Sequence, residues 1–251
     1  MYAKNLFVSK INYYNNLIKL FQKANPIGYD CFFILELLML FSFTIIFIFS
    51  MLNSSTLFAG KQCSDQMVFV PKGIFWAGEA NTLQKMTTGS FCIDQTEVTQ
   101  TKYEVIIGEN PSYFYQADNP VETVSWFEAQ KYCENLNKRL PTEKEWEKAA
   151  RAGTKYKYFW GNQIDPSYLW FSYNSSYKTH PVAQKKSNGF GLSDILGNVY
   201  EWTSNWYSNQ EKFKVLRGGS WANRKNSVTI AYRDRASPSQ KGSDIGFRCA
   251  K

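Results

Sequence analysis

Apolar residues fall along this chain in three regimes. Residues 37–60 hold no charged side chain, and their centre, LLMLFSFTIIFIF (37–49), has no polar face to interrupt it. From residue 66 the apolar runs shorten. QMVFVPKGIFWAG (66–78) alternates around Pro71, Lys72 and Gly73, which predicts strand, turn and strand, and FCIDQTEV (91–98) predicts a third strand. The spacing then turns helical. Thr99 caps a helix to about Ile107 that sets Tyr103, Ile106 and Ile107 on one face. Ser125 and Glu128 form a capping box ahead of a stripe of Trp126, Ala129, Tyr132, Cys133 and Leu136. Thr142 and Glu145 form another, ahead of a helix that turns Trp146, Ala149 and Ala150 to the core and ends at Gly153 as a C′ residue.

Beyond that helix the periodicity fails. Residues 154–180 mix Tyr, Trp and Phe with Gly, Asn, Ser and Pro, as in a long loop held by aromatic packing, and a linker would be poorer in aromatics. Within it His180, ahead of Pro181, reads as a hydrogen-bonded loop residue. Strands are predicted over 215–221, 228–235 and 245–249, with Arg217, Arg233, Arg235 and Arg248 as paired structural forks. No βαβα rhythm runs through the chain, so the expected fold is an irregular α+β domain over about residues 64–251.

The chain is organised around residues 188–206, NGFGLSDILGNVYEWTSNW, read as neither regular helix nor plain strand. Gly189, Gly191 and Gly197 permit turns with positive φ. Asp194, Gly197, Val199 and Glu201 are spaced so that a chain folding back presents carboxylate and carbonyl oxygens to one centre. Hard cations such as calcium take that donor set. On spacing alone, a tight turn whose acids bond nearby N–H groups fits equally well.

Charge and cysteine usage set the compartment. The 251 residues carry 29 basic and 21 acidic side chains, net +8, and the bases are scattered rather than clustered. That is a solvated surface, not a nucleic-acid stripe. Lys4, Lys10, Lys19 and Lys23 precede the apolar run, so residues 1–36 are expected to be cytoplasmic, residues 37–60 a signal peptide or transmembrane anchor, and the remainder extracytoplasmic. Cys31 lies on the cytoplasmic flank. Cys63, Cys92, Cys133 and Cys249 remain for an oxidising compartment, with three pairings open. One histidine cannot build a two-His-one-carboxylate metal site.

MVFVPKG, DQTEVT, PVETVSWFEAQKYCENLNKRLPTEKEWEKAARAG, YFWGN, THPV, NGFGLSDILGNVYEW, LRGGSW, AYRDR and IGFRCA occur in one order across residues 67–250. Together they resemble the formylglycine-generating enzyme (sulfatase-modifying factor) family. The resemblance implies a single domain of low secondary-structure content related to the C-type-lectin-like fold. It implies calcium on the side chains of Asp194 and Glu201 and the main-chain oxygens of Gly197 and Val199. It pairs Cys133 with Cys249, which leaves Cys63 with Cys92.

The family's enzymes oxidise a substrate cysteine to formylglycine with molecular oxygen, using Cu(I) held by two thiolates just after GGS. Here that segment reads GGSWANRKNSVTIAYRDR, and the aligned positions are Asn223 and Val228. Neither an amide nor an alkyl group replaces a thiolate toward Cu(I), so no copper is expected. The expected function is an exported, non-catalytic, calcium-stabilised module that binds a protein, peptide or glycan. An enzyme of other chemistry, such as oxidative modification of an envelope protein or a small metabolite, would use a cleft around Tyr200, Trp202, Trp206, Ser220, Trp221, Asn223 and Arg224. A third possibility makes Cys63 and Cys92 substitute copper ligands.

Overall fold

The computed structural model describes residues 63–64, 66–79 and 81–251. The leader expected at 37–60 and Cys31 lie outside the described residues, among which no helix is long and apolar enough to cross a membrane. Strand β1 (Met67–Val70) turns through Pro71 into β2 (Gly73–Ala77), as the broken alternation predicts. Strand β3 (Gln84–Thr88) pairs antiparallel with β2, setting Phe75 opposite Met86. The sequence reading passed over β3 because QKMTT lacks apolar alternation; β2 supplies the buried Phe75 and Ala77 for both strands. β4 (Phe91–Asp94) pairs antiparallel with β1.

Three helices follow, each begun by its expected cap. In α1 (Gln100–Ile107) the Thr99 hydroxyl accepts from Lys102 N–H, and Gly108 closes the helix at φ 93°. Both capping boxes form, Ser125 with Glu128 ahead of α2 (Trp126–Asn135) and Thr142 with Glu145 ahead of α3 (Glu143–Arg151). Each box satisfies donors that a helix start leaves orphaned. Gly153 follows the left-handed Ala152 at φ 89°, the C′ position expected for it.

The second half differs more from expectation. The last seven residues of the 188–206 stretch, Tyr200–Trp206, are strand β5, the centre of a four-stranded sheet ordered β7-β6-β5-β8. β6 (Lys214–Arg217) pairs antiparallel with β5, and β7 (Asp234–Ala236) with β6. β8 (Ile245–Gly246) runs parallel to β5. The strand expected over 228–235 is largely turn, because Val228 and Ile230 drop into the core while Arg217 takes the carbonyls of Ile230 and Ala231. Past β8 the chain stays extended but pairs irregularly: Val98 N–H donates to Phe247 and Asp94 N–H to Cys249.

Two buried clusters hold these pieces. One gathers Ile93, Trp146, Leu192, Leu196 and Val228. The other gathers Tyr103, Tyr132, Trp202, Leu216 and Phe247. Each fully buried large side chain stabilises by about 1.5–3 kcal/mol. Disulfides join Cys133 to Cys249 across 116 positions, the pairing the resemblance implies, and Cys63 to Cys92, the pair left over. Cys63 and Cys92 are therefore not free thiols, and the substitute-ligand possibility loses its chemistry. Three of the four C-terminal arginines are the paired forks expected: Arg217 with Glu143 and Glu147, Arg233 with Glu143, and Arg248 with Glu201. Arg235 instead packs over the rings of Tyr207 and Phe213.

Candidate functional site

The turn leading into β5 is built on buried polar contacts. Asn188 accepts from the N–H groups of Phe190 and Leu192 and donates to the carbonyls of Ala149 and Ala150, fixing the turn to the end of α3. Asp194, Gly197 and Asn198 are left-handed, at φ 54°, 80° and 55°. A Cβ on Gly197 would lie 2.1 Å from the Trp170 carbonyl oxygen, so that position admits glycine alone. Asn198 Nδ2 donates to Glu97 and to the His180 carbonyl, while its Oδ1 accepts from His180 N–H. His180 is the loop residue expected: its Nε2 lies 2.7 Å from the Ser175 carbonyl, and its ring stacks on Trp170.

This turn gathers Glu97, Asp194 and Glu201, all buried. Asp194 Oδ2 accepts from Ala183 N–H at 2.6 Å, and its Oδ1 has no partner. Glu201 accepts from Arg248 Nε and Nη2 at 2.8 Å each and from Trp146 Nε1 at 2.7 Å. Glu97 accepts from Val199 N–H and Asn198. The three carboxylates face one buried guanidinium, with Lys185 at the edge over the Trp170 ring. Burial, with Asp194 and Glu201 nearby, pushes Glu97 well above the usual carboxylate range. Burial also raises Glu201 and takes Asp194 to about 6.

Excess carboxylate charge and an orphaned Asp194 oxygen fit a hard cation. Glu201, by contrast, is committed to Arg248 and Trp146. Among the described residues, no three acid, thiol or imidazole groups converge closely enough to share an ion. Glu97 is the residue that sequence reasoning missed here; its only signal is a carboxylate beside the apolar Val98, and only the fold carries it to Asn198.

The GGSW turn lies against this cluster through Trp221 N–H, which donates to the Asn198 carbonyl. A Cβ on Gly219 would meet Ser227 O at 2.6 Å and Val228 Cγ1 at 2.7 Å. Ser220 is buried, its Oγ 2.8 Å from Asn223 Oδ1 and 3.2 Å from Asp244 Oδ2, and its N–H also donates to Asn223 Oδ1. Tyr200 N–H donates to the Asp244 carbonyl, but its ring is buried and its hydroxyl donates to Asp234. Burial and the Asp234 charge push that phenol far above its ordinary value.

Ser220, Trp221 and Asn223 thus lie together in one turn, with Tyr200 sharing Asp244. Arg224 projects into solvent. Trp202 is buried with its N–H on the Val124 carbonyl, and Trp206 stacks on Lys214, so neither joins the group. Val228 is wholly inside the core. Two shallow surface hollows lie elsewhere, one of about 220 Å³ beside Tyr103 and Phe127 and one of about 480 Å³ beside Trp160 and Pro166. Ser220 and Val228 are both fully buried, and Arg224 is exposed.

The sulfatase-modifying factor enzyme 1-like domain matches residues 54–251. The serine/threonine-protein kinase pkn1 of Chlamydia caviae is 40% identical over 153 residues, covering 54% of this chain and 24% of the kinase. The chaperone protein LppX of Paenibacillus barcinonensis is 30% identical, covering 75% of this chain and 90% of LppX. Inactive C-alpha-formylglycine-generating enzyme 2 of Bos taurus is 40% identical over 151 residues, covering 52% of this chain and 50% of that protein. The chain therefore spans about a quarter of the kinase and half of the bovine relative. Among solved structures, Treponema denticola variable protein 1 superposes with a TM-score of 0.67 at 29% identity, over 73% of this chain and 94% of its own.

Proposed function

This chain belongs to the sulfatase-modifying factor enzyme 1-like family, and on that premise we propose that it is a non-catalytic member: an exported, calcium-stabilised module that binds a protein, peptide or glycan. One observation carries the proposal. Where the family's oxidases hold Cu(I) with two thiolates, this chain has an amide spent on Ser220 and a valine inside the core. All four cysteines among the described residues are bridged. A soft monovalent ion finds no sulfur there. Two relatives lend support by their names, one called inactive and one a chaperone. The two disulfides suit an oxidising compartment, which supports export.

Calcium would be held by Asp194 and Glu201 side chains and Gly197 and Val199 carbonyls, with Glu97 beside them. Bound there, it would supply positive charge against the three buried carboxylates. Glu201 would have to share its oxygens between the ion and Arg248.

Metal titration of the purified chain tests the proposal. At a hundredfold excess over its dissociation constant, calcium raises the melting midpoint by roughly 5–10 °C, and a Cu(I) chelator keeps its copper when the protein is added. Stoichiometric transfer of Cu(I) to the protein, or a midpoint indifferent to calcium and to its chelation, would count against it.

A further inference from the structure

Among the described residues, four of the five largely exposed tyrosines, Tyr113, Tyr115, Tyr173 and Tyr177, stand on two loops of one face, each 71–81% exposed. Phe114, between the first two, packs edge-on to Trp221 at 5.4 Å. The Trp221 carbonyl accepts from the Ser175 hydroxyl, and Ser175 lies between Tyr173 and Tyr177. Residues 112–115, 172–177 and 221–224 therefore form one continuous surface.

These loops are pinned from beneath. Gln100, buried at the start of α1, donates to the Phe114 carbonyl and accepts from Asn110 and Gln116. Glu122, buried, accepts from Phe114 N–H at 2.7 Å. Asn174 accepts from Phe171 N–H and donates to the Leu169 carbonyl. Ser176 and Tyr177 are both left-handed, at φ 53° and 58°. Consecutive non-glycine residues there cost of order 1–3 kcal/mol each and persist only where the surroundings enforce them. Strain and buried polar groups are together spent on holding tyrosine rings out in water.

The three segments read SYFY, SYNSSY and WANR; Arg224 is the one charge within them, and the exposed Lys178 and Lys225 border them. Tyr, Trp, Phe and Arg with few Lys, Asp or Glu is the composition of a protein–protein interface core. Tyrosine supplies contact area at low entropic cost, and Ser and Asn supply adaptable hydrogen bonds. A nucleic acid or an anionic lipid surface would call for clustered bases.

Resting on the binding-module proposal, we infer that this tyrosine face docks a folded protein whose matching patch is uncharged and hydrogen-bonding at its centre, with carboxylates at its edge for Arg224, Lys178 and Lys225. The test places the photo-crosslinker p-benzoylphenylalanine at Tyr113 or Tyr173 of the full chain in its own host cells, with Ile74, exposed on β2, as control position. Irradiation is expected to yield a discrete protein adduct from the two tyrosine positions and none from position 74. The identified partner, purified, should bind a Tyr113→Ser, Tyr173→Ser, Tyr177→Ser variant at least about tenfold more weakly, with an unchanged melting midpoint. Adducts to lipid or glycan alone, an adduct only from position 74, no adduct at all, or full affinity in the triple variant would each overturn the inference. An adduct from position 74 alone would leave the binding-module proposal standing; copper transfer to the protein would sink that proposal and say nothing of this face.

Discussion

Gly197 and Gly219 each occupy a point where a methyl group has no room. At Gly197 the obstacle is the Trp170 main chain, and at Gly219 it is Ser227 O and Val228. Both also sit at positive φ. Gly219→Ala should destabilise the protein by roughly 2–4 kcal/mol in urea unfolding, and Gly197→Ala by more, since its missing Cβ lies 2.1 Å from the obstructing carbonyl oxygen against 2.6 Å at Gly219. Gly73, at φ 152° but with open space around its missing Cβ, should lose to alanine only the backbone strain, about 1–3 kcal/mol. Arg248→Met strands the Glu201 carboxylate and should cost about 3–5 kcal/mol; a loss below 1 kcal/mol would mean that Glu201 finds another cation. The glycine-rich turn was visible in the sequence because glycine announces positive φ. Glu97 and the Glu201–Arg248 pair were not, because buried polar partnerships across 47 to 102 positions leave no local pattern.

Capping boxes were the most legible elements, since Ser125, Glu128, Thr142 and Glu145 act within a single turn. Burial pushes Glu145 upward, but hydrogen bonds from Arg139 and Thr142 outweigh it and hold the carboxyl below its usual range. A depressed carboxylate contributes stability that is present above its unfolded value and lost as pH falls through its folded value. The melting-point gap between wild type and Glu145→Gln should therefore be full near neutrality and close as the pH drops through and below the carboxylate range. A gap constant with pH would show that the box works without its charge. The C-terminal strands were the least legible elements. Val228 to Arg235 alternates like a strand, yet the buried Arg217 guanidinium claims two of its carbonyls and bends it into turns. β3 shows the converse, a strand whose pattern belongs to its partner β2.

At the scale of the molecule, little regular structure spans a domain stapled by ion pairs and two disulfides. Cys133–Cys249 closes the larger loop, and its replacement by a serine pair should cost about 4–5 kcal/mol, as loop-closure entropy predicts for roughly 100 residues. The family was legible because its motifs are long and ordered. The segment after GGS was legible only in part: lost thiolates show in the sequence, but the burial of Val228 beneath Gly219 does not. The central claim is that this chain keeps the family's fold without its oxidation chemistry. Incubating the purified chain with Cu(I), oxygen and a sulfatase-derived cysteine peptide, then reading the peptide by mass spectrometry, tests it most directly. The account predicts an unchanged cysteine; a peptide aldehyde that forms with protein present and not with copper alone would contradict it.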